Sequence, residues 1–327
     1  MSILITGGTG VIGSMIVRQM ADERMDPIVL ARREDFSLLE DVKGRFKFVQ
    51  GDVSDFENVS NIISDYGIRR IIHAGALMPG ECLRDPIKGF GVNSIGTLNL
   101  LEAARRGRVE RFVYTSAKGV YSPATGEFAH PTYKPIDENY PRDDQMGLYG
   151  STKLCGEIMG FQYRKTFGLD FITLRFSMTY GPGKLSRHGP LAVHSKMIEN
   201  SMLKKSVRIP RGSDQKDDMI YTKDCARATV MSAFHKDLKN HVFNIGTGTG
   251  KTLVDFSEAV KKVFPGADVR IGPGLDYLGV DYNTYSVFDV SRAKEELGFS
   301  PEFDFEKAVE DYKETLNRLN IRPAYSP

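Results

Sequence analysis

The sequence opens on a glycine-rich turn placed between an apolar strand and a helix. Residues 3–13 read ILITGGTGVIG, so a short strand pattern leads directly into glycines at positions 7, 10 and 13. In turns of this spacing, glycine permits the tight bend, lets the backbone approach a pyrophosphate and lets the helix pack close to the strand. The helix predicted over residues 11–20 would direct its N-terminal amides at the phosphates. The motif predicts a dinucleotide-binding turn formed by Gly7, Thr9, Gly10, Val11, Ile12 and Gly13.

The composition of the chain indicates a globular protein and limits the kinds of partner that it can bind. Its 327 residues are 41% apolar, which suffices for a packed core, and 44 basic against 42 acidic residues give a net charge of +2. This near balance implies no broad attraction to nucleic acid or to a membrane, so we expect a small-molecule substrate. No apolar stretch approaches the ~18 residues of a membrane span, and the first strand leaves no room for a signal peptide.

The three cysteines indicate whether the chain could bind a metal and in which cellular compartment it is found. Cys82, Cys155 and Cys225 lie far apart and lack the paired spacing of zinc sites or disulfides. We therefore expect no metal, and a reducing, cytoplasmic location.

Short β-branched or apolar runs alternate with helical patterns along most of the chain. The runs lie at residues 2–5, 28–31, 46–50, 70–73, 112–115, 171–175 and 241–245. This alternation predicts an α/β fold, a doubly wound parallel sheet of the Rossmann type. After about Met178 glycine, proline and charged residues are interspersed through residues 181–216 and 265–284, with aromatics but few clean strands. These stretches predict a smaller, discontinuous substrate-binding region. We assign residues 1–177, 218–250 and 286–298 to the dinucleotide-binding domain, and residues 178–217, 251–285 and 299–327 to the substrate-binding region.

The end of the second predicted strand bears on the choice of cofactor. In a dinucleotide-binding fold an acid after this strand accepts from the ribose 2′-hydroxyl, whereas arginine pairs with a 2′-phosphate. Positions 31–33 read Ala-Arg-Arg and hold no acid. Arg32 and Arg33 therefore favour NADP, with NAD as the second choice, unless both arginines simply point into water.

The third and fourth strands end in residues suited to line the same site. Asp52, followed by Val53, is placed to accept from the adenine amino group, or alternatively to cap the next helix. The small residues Ala74, Gly75 and Ala76 would let a cofactor lie close to the backbone. His73, which precedes them, is interpreted as a packed histidine at the end of a strand rather than as a catalyst.

The pattern with the most chemical content is Tyr149-Gly-Ser-Thr-Lys153. A spacing of four on a predicted helix puts the phenol and the ammonium on one face. A free tyrosine, with a pKa near ~10, is a poor acid or base at neutral pH, and a neighbouring positive charge lowers that pKa. The pair therefore predicts a proton donor and acceptor for a carbonyl or an alcohol. Thr115 and Ser116, at the end of the fifth strand, are placed to hold the substrate oxygen with a hydroxyl.

Together these features resemble the extended short-chain dehydrogenase/reductase family, which includes nucleotide-sugar epimerases and dehydratases. The resemblance covers nearly the whole chain and is specific for the family but not for a substrate. The matching segments are TGGTGVIG (6–13), GDVSD (51–55), NSIGTLNLLEA (93–103), TSAKGVY (115–121), YGSTK (149–153), LRFSMTYGPG (174–183), NIGTGTG (244–250) and FDVSRAKEELGFSP (288–301).

The resemblance implies roles for single residues. Tyr149 would be the general acid/base, Lys153 would hold the nicotinamide ribose and tune the tyrosine, and Ser116, with Thr115 in reserve, would polarise the substrate oxygen. Asn93 would order the cofactor end of the site, and Phe176 and Met178 would contact the cofactor. Family members commonly dimerise through two long helices, which here lie at residues 94–106 and 149–166, so a homodimer is implied.

Three positions depart from the pattern of the nucleotide-sugar enzymes. Ala117 stands where many of them have serine or threonine, so the hydroxyl lies one residue earlier, as in NADPH-dependent carbonyl reductases. Met178 replaces an asparagine that contacts substrate, and Asp217 replaces an arginine that pairs with the substrate diphosphate. A carboxylate there would repel a diphosphate, unless Lys216 or Arg211 substitutes.

Two segments are long enough to act as covers. Residues 122–148 contain four prolines, and residues 182–194 contain two glycines and two prolines. Loops of this length are usually functional, so we expect both segments to close over the substrate.

These observations favour an NADP-dependent reductase or dehydrogenase that moves a hydride between nicotinamide and a carbonyl or secondary alcohol. The alternative is a nucleotide-sugar epimerase or dehydratase, in which the hydride leaves and returns within one turnover so that NAD(P) is recycled. A non-catalytic sensor is disfavoured because Tyr149 and Lys153 are both present, and no nucleophile–base pair indicates a hydrolase.

Overall fold

The computed structural model describes residues 2–144 and 147–326, except for the side chain of residue 190. The strands are β1 (Ile3–Thr6), β2 (Ile28–Ala31), β3 (Lys47–Gln50), β4 (Arg70–His73), β5 (Arg111–Ala117), β6 (Asp170–Phe176), β7 (Met178–Tyr180), β8 (Val207–Ile209), β9 (Lys216–Tyr221), β10 (Val242–Ile245), β11 (Gly250–Thr252) and β12 (Val269–Ile271). The α-helices are α1 (Val11–Asp22), α2 (Phe56–Asp65), α3 (Pro79–Arg84), α4 (Pro86–Phe90), α5 (Gly96–Arg106), α6 (Gly147–Phe167), α7 (Lys184–His188), α8 (Val193–Met202), α9 (Thr222–Phe234), α10 (Leu253–Val263), α11 (Ser291–Leu297) and α12 (Phe305–Arg318).

Seven parallel strands form the central sheet, in the order β3-β2-β1-β4-β5-β6-β10. The chain adds β2 and β3 on one side of β1 and then crosses to add β4 on the other side. The strand order therefore reverses between β1 and β4, and in open α/β sheets ligands bind beyond the carboxyl ends of the strands at such a point. The predicted Rossmann-type fold is confirmed.

Helices cover both faces of this sheet because its strands are apolar on both sides. One face packs against α1, α9 and α11 through buried residues such as Ile16, Val230 and Leu297. The other face packs against α2, α5 and α6 through residues such as Ile62 and Leu100.

The elements after β6, other than β10, α9 and α11, form a smaller layer over the carboxyl ends of the strands. Strands β7, β9 and β11 make a three-stranded sheet, and β8 pairs with β12. Both pack with α8, α10 and α12 around buried residues that include Met197, Phe256 and Tyr312. The expectation of few clean strands agrees with the structure: within residues 181–216 and 265–284 the described residues form β8, β12 and the first residue of β9.

The predicted strand runs agree with the structure to within one or two residues at most ends. Strand β5 extends to Ala117, because its pairing with β6 continues to Ala117 opposite Phe176. The helix predicted over residues 94–106 begins instead as a π-helical turn, Gly91–Ile95, and becomes α-helical at Gly96. Within that turn Ile95 is 42% exposed.

Candidate active site

The glycine turn leaves no room for side chains at two of its positions. A Cβ on Gly7, whose φ is +66°, would lie 2.5 Å from the Cα of Gly75. A Cβ on Gly13 would lie 2.1 Å from the carbonyl oxygen of Gly7. The turn, the start of α1 and the end of β4 therefore approach one another as closely as backbones can, which fits the turn of a dinucleotide site.

A cavity of about 460 Å³ opens at this turn, beyond the carboxyl ends of β1 to β4. We call it the glycine-turn cavity. Most of the residues predicted to bind the cofactor line it. They are Gly7, Thr9, Gly10, Val11, Arg32, Arg33, Asp52, Val53, Ala74, Gly75 and Ala76.

The remaining predicted residues lie outside the wall that the described residues give this cavity. Ile12 and Gly13 lie one step further along α1, and Phe176 is 3% exposed within the core of the sheet. Met178 lies in β7, opposite Met219 of β9. Asn93, Thr115, Tyr149 and Lys153 lie further along the sheet, on β5, on α6 and on the turn before α5.

Sequence reasoning missed eleven residues of the wall. Seven of them adjoin predicted positions or lie on the elements just after β4: Leu30, Ala31, Gly51, Leu77, Met78, Glu81 and Val92. The other four are Asp35, Ser186, Arg187 and His188. Asp35 lies four residues beyond β2, just past the positions where an acid was sought. The other three belong to α7, more than 150 residues away in sequence, and no local pattern marks them. Burial, with Lys184 and Arg187, lowers the pKa of His188 to about 3, so this histidine is neutral.

Asp52 occupies the predicted position but does not cap a helix. Its Oδ1 accepts from the backbone N (2.9 Å) and the hydroxyl (2.7 Å) of Ser54. The cap of α2 is Asp55, which accepts from the backbone N of Asn58 at 3.0 Å. Although burial opposes it, Ser54 and the nearby Arg32 hold the pKa of Asp52 below its usual range. Asp52 therefore presents an ionised carboxylate in the cavity wall.

Lys153 is buried one turn beyond Tyr149 on α6. Its side chain lies against the ring of Tyr114, with Nζ 4.1 Å from the ring centroid, and the residue is 2% exposed. Burial lowers the pKa of Lys153 to about 7, although Glu157 and Cys82 act in the opposite direction. Lys153 therefore changes its charge near neutral pH.

Tyr149 is half-buried in the first turn of α6. Burial, and next the Cys82 thiol, raise the pKa of Tyr149 above its usual value. In this structure burial outweighs the lowering of this pKa expected from Lys153, whose own charge is weakened by burial and whose ammonium faces Tyr114. In this structure the phenol is therefore protonated at neutral pH.

Asn93 fixes the start of α6 against the loop after β4. Its Oδ1 accepts from Leu77 N at 2.7 Å, and its Nδ2 donates to Leu77 O and to the hydroxyl of Thr152, each at 3.0 Å. Thr152 in turn donates to the carbonyl of Tyr149 at 2.8 Å. Asn93 thereby ties the cavity wall to the helix that carries Tyr149 and Lys153.

The two candidate hydroxyls on β5 differ in their partners. Thr115 donates to the carbonyl of His73 at 3.1 Å and is thereby part of the sheet edge. Ser116 is 3% exposed, and its hydroxyl has no hydrogen-bond partner within the described part of the chain. Ser116 lies on the same face of β5 as Tyr114, which packs against α6. We call Asn93, Ser116, Tyr149 and Lys153 the Tyr149 corner.

His73 is held as predicted, as a packed residue at the end of β4. Its ring lies between the hydroxyls of Thr6 (2.6 Å) and Thr97 (3.0 Å). Burial, and next Lys153, keep the pKa of His73 well below its usual value, so the ring is neutral.

Comparisons with known proteins identify the family. The model of the NAD dependent epimerase/dehydratase family matches residues 3–246. The chain belongs to that family. It is 29% identical over 323 residues to a UDP-glucose 4-epimerase of Lactobacillus helveticus, covering 93% of each chain, and 25% identical over 338 residues to a dTDP-glucose 4,6-dehydratase of Escherichia coli, covering 94% of this chain and 91% of that protein. It superposes on the crystal structure of the UDP-glucose 4-epimerase of Thermotoga maritima with UDP-glucose at a TM-score of 0.83 and 25% identity, covering 97% of this chain and 99% of that one.

Within this epimerase/dehydratase chain, Asp217 does not present the free carboxylate that was expected. It is fully buried, and its two oxygens accept from Lys118 Nζ at 2.8 and 2.7 Å. The hydroxyl of Tyr277 donates to the same carboxylate at 2.9 Å. The charge of Asp217 is thereby balanced by a lysine 99 positions earlier in sequence. Arg211 pairs instead with Asp276 and Asp281.

The two segments expected to cover the substrate, residues 122–148 and 182–194, lie against different parts of the protein. Residues 122–144 pack against the late segment around Phe288, where Ile136 N donates to Val287 O at 2.8 Å. Positions 145 and 146 of this segment lie outside the described residues. The second cover holds α7, which lines the glycine-turn cavity rather than the Tyr149 corner.

The described residues contain neither a candidate metal site nor a candidate membrane span. No group of three or more histidine, cysteine or acidic residues there could hold a metal ion. No helix in the same residues is long and apolar enough to cross a membrane.

Proposed function

We propose that this protein is a nucleotide-sugar epimerase that keeps its dinucleotide cofactor bound throughout the reaction. The observation that carries the proposal is the Tyr149 corner, which lies beside a glycine-turn cavity on a chain of the epimerase/dehydratase family. Relatives along almost its whole length are named as a 4-epimerase and a 4,6-dehydratase of sugar nucleotides. This support favours the alternative over the reductase that the sequence suggested first.

In this proposal the Tyr149 corner handles the proton of a substrate hydroxyl. A nicotinamide bound in the cavity would supply the acceptor and donor of the hydride. Tyr149 Oη takes the hydroxyl proton as the alcohol carbon is oxidised and returns it when the ketone is reduced on its other face. Ser116 Oγ, which has no other partner, donates a hydrogen bond to the same substrate oxygen.

Lys153 determines when Tyr149 accepts a proton. Burial favours the neutral phenol, so the phenolate forms only while the Lys153 ammonium offsets its charge. Since the proposed mechanism couples these two groups, the activity should follow apparent pKa values that belong to the pair rather than to either residue.

The smaller layer is proposed to bind the sugar nucleotide. It comprises the segments assigned above to the substrate-binding region, and its elements β7 and α7 lie next to the carboxyl ends of the sheet strands. The neutralised Lys118–Asp217 pair means that this layer does not oppose a diphosphate as strongly as Asp217 alone would.

For the cofactor we propose a preference for NADP over NAD. Two guanidinium groups, Arg32 and Arg33, lie in the cavity wall, and the wall acid Asp35 is paired with Arg187. Emptied protein titrated with NADPH and NADH should bind NADPH more tightly, and the double variant R32A/R33A should bind both alike. Equal affinities in the unchanged protein would overturn the preference.

We also propose a homodimer formed through the helices after β4 and β5. Large apolar side chains stand exposed on α3, α4 and α6 and on the turn before α5, and Leu83 and Ile87 are 75% and 87% exposed. The set is Leu83, Ile87, Phe90, Ile95, Leu148 and Ile158. Contiguous exposed apolar side chains of this kind mark interaction surfaces.

Sedimentation should show twice the mass of one chain. The variant Ile87→Asp should sediment as a monomer, whereas Val254→Asp, at an exposed apolar residue of α10, should not. A monomer for the unchanged protein would contradict the proposed dimer.

The free cysteines support the proposed cytoplasmic location.

The enzyme assay is proton NMR of UDP-glucose incubated with the purified protein. We expect its C4 epimer to appear, without net formation or loss of NAD(P)H. Loss of water from dTDP-glucose would assign the dehydratase activity instead.

The second candidate remains the NADP-dependent reductase. It is favoured by Ala117, which leaves the free hydroxyl at Ser116, and by the arginines in the cavity wall. Stoichiometric consumption of NADPH with a carbonyl substrate, and no change in either sugar nucleotide, would select it.

A further inference from the structure

Helix α7 forms one side of the glycine-turn cavity although it belongs to the smaller layer. Its residues Ser186, Arg187 and His188 line the cavity. The segment lies between Gly183 and Gly189, whose φ angles of +78° and +54° are in the left-handed region that favours glycine. Both ends of the segment therefore have backbone conformations suited to a change of direction.

The guanidinium of Arg187 joins this segment to the opposite side of the cavity. Its Nη1 donates to the carbonyl of Thr9, in the glycine turn, at 2.6 Å. Its Nη2 donates to Asp35 Oδ2 at 2.6 Å and to the hydroxyl of Ser37 at 3.2 Å, both beyond β2. One side chain thus spans the cavity between its pyrophosphate side and its ribose side.

These contacts are the polar connection between the segment and the large sheet. Among the described residues, every hydrogen bond from residues 184–191 to residues before β7 comes from the Arg187 guanidinium. Two other polar side chains of α7 bond within their own layer: Lys184 donates to Thr179, and Ser186 donates to the carbonyl of Gly183.

The ion pair between Arg187 and Asp35 is suited to form and break reversibly. Asp35 is ionised, because Ser37 and Arg187 outweigh burial and keep its pKa below the usual range. The two side chains are 23% and 52% exposed, so water competes with the pair and each opening costs little. Leu185 and Lys184 of the same segment are buried, so the segment stays attached to the smaller layer when the ion pair breaks.

We propose that residues 184–189 are a lid on the glycine-turn cavity and that Arg187, bound to Thr9 and Asp35, is the latch that sets how long the cofactor stays bound. The proposal rests on the proposed function in one respect, that the cavity takes a dinucleotide. An enzyme that returns its hydride to the same substrate needs the cofactor to stay in place between the two half-reactions.

The test is the rate at which the loaded protein releases NADH, followed by fluorescence after mixing with excess NAD⁺, and the same for NADPH with NADP⁺. Arg187→Ala should release both nucleotides about 10-fold faster, since interface changes act mainly on dissociation. Asp35→Asn should act in the same direction, and the double variant should resemble Arg187→Ala, because both changes break one contact.

Arg208→Ala is the matched control. Arg208 makes a comparable pair with Asp268, at 2.9 Å and with both side chains about half exposed, on β8 away from the cavity. Its release rates should stay within twofold of the unchanged protein. Arg187→Lys, which keeps the charge but not the forked geometry, should release the nucleotides at an intermediate rate.

Three results would overturn the latch. They are unchanged release from Arg187→Ala, additive effects of Arg187→Ala and Asp35→Asn, and an effect confined to NADPH, which would assign Arg187 to the 2′-phosphate. None of these measurements needs a sugar substrate. A protein that binds neither nucleotide would refute the proposed function itself, so the two failures are distinguishable.

Discussion

The glycine-turn cavity and the Tyr149 corner lie along the same sheet edge, but different kinds of chemical group form them. The glycine-turn side of the cavity is formed by backbone and small residues, and its tolerances are steric, as the approach of Gly13 to Gly7 shows. The corner is formed by buried ionisable and hydroxyl side chains, and its properties are electrostatic, as the pKa of Lys153 near 7 shows. Added volume should therefore damage the cavity, whereas loss of a single polar atom should damage the corner.

The largest effect should follow from removing one oxygen from the corner. Tyr149→Phe should reduce turnover by roughly 10³-fold, the usual contribution of a positioned acid/base, and leave cofactor affinity nearly unchanged. Turnover of UDP-glucose and NADH titration measure the two properties separately. An active variant would refute the role of Tyr149 and remove the contrast between the two regions.

A second substitution pair separates the two hydroxyls of β5. Ser116→Ala should reduce turnover by about 100-fold, the usual cost of one donor to the reacting oxygen, and should barely change stability because its hydroxyl has no protein partner. Thr115→Val should do the reverse and cost about 1 kcal/mol of unfolding free energy, because its hydroxyl bonds His73. Urea denaturation and steady-state kinetics of both variants check this. The opposite pattern would move the substrate oxygen to Thr115.

Adding one methyl group to the glycine turn, at position 13, tests whether close backbone packing determines cofactor binding. A Cβ at position 13 would lie 2.1 Å from a backbone oxygen, so the turn must shift. Gly13→Ala should weaken NADH binding about 30-fold, equivalent to ~2 kcal/mol. The control Gly266→Ala, where a Cβ meets no atom within 4 Å, should bind NADH normally. Normal binding by Gly13→Ala would show that the turn does not contact the cofactor.

The smallest effect concerns the charge of Lys153. Its pKa is about 7 in the fold and near ~10.4 in an unfolded chain, so the unfolded state binds more protons between these values. The free energy of unfolding should therefore rise as the pH increases from 7 to 9. In the cofactor-free protein, Lys153→Met should flatten this rise, whereas Lys251→Met, at an exposed lysine, should not. Equal slopes for all three proteins would contradict a buried, weakened lysine charge.

The two regions also differ in what the sequence could predict of them. Strand ends and the glycine turn are local, so β-branched runs and glycine spacing placed them closely, and half of the residues of the cavity wall with them. The spacing of Tyr149 and Lys153 likewise fixed their shared helix face.

What the sequence did not reveal depends on residues that meet only in the folded chain. Lys118 lies 99 positions from Asp217, and Arg187 lies 152 positions from Asp35. The burial that raises the pKa of Tyr149 and lowers that of Lys153 is likewise a property of the packed corner rather than of the YGSTK motif. The substrate region was least predictable, because its strands are short and its contacts are long-range.

The most direct test of a retained cofactor is the fate of hydrogen at C4 of the sugar. UDP-glucose carrying deuterium at C4 would be incubated with the protein in ordinary water, and the product analysed by NMR and mass spectrometry. A hydride that leaves and returns within one turnover predicts that the C4 epimer keeps its deuterium and that no NAD(P)H accumulates. Loss of the deuterium from the product, or its stoichiometric appearance in released NAD(P)H, would contradict the account.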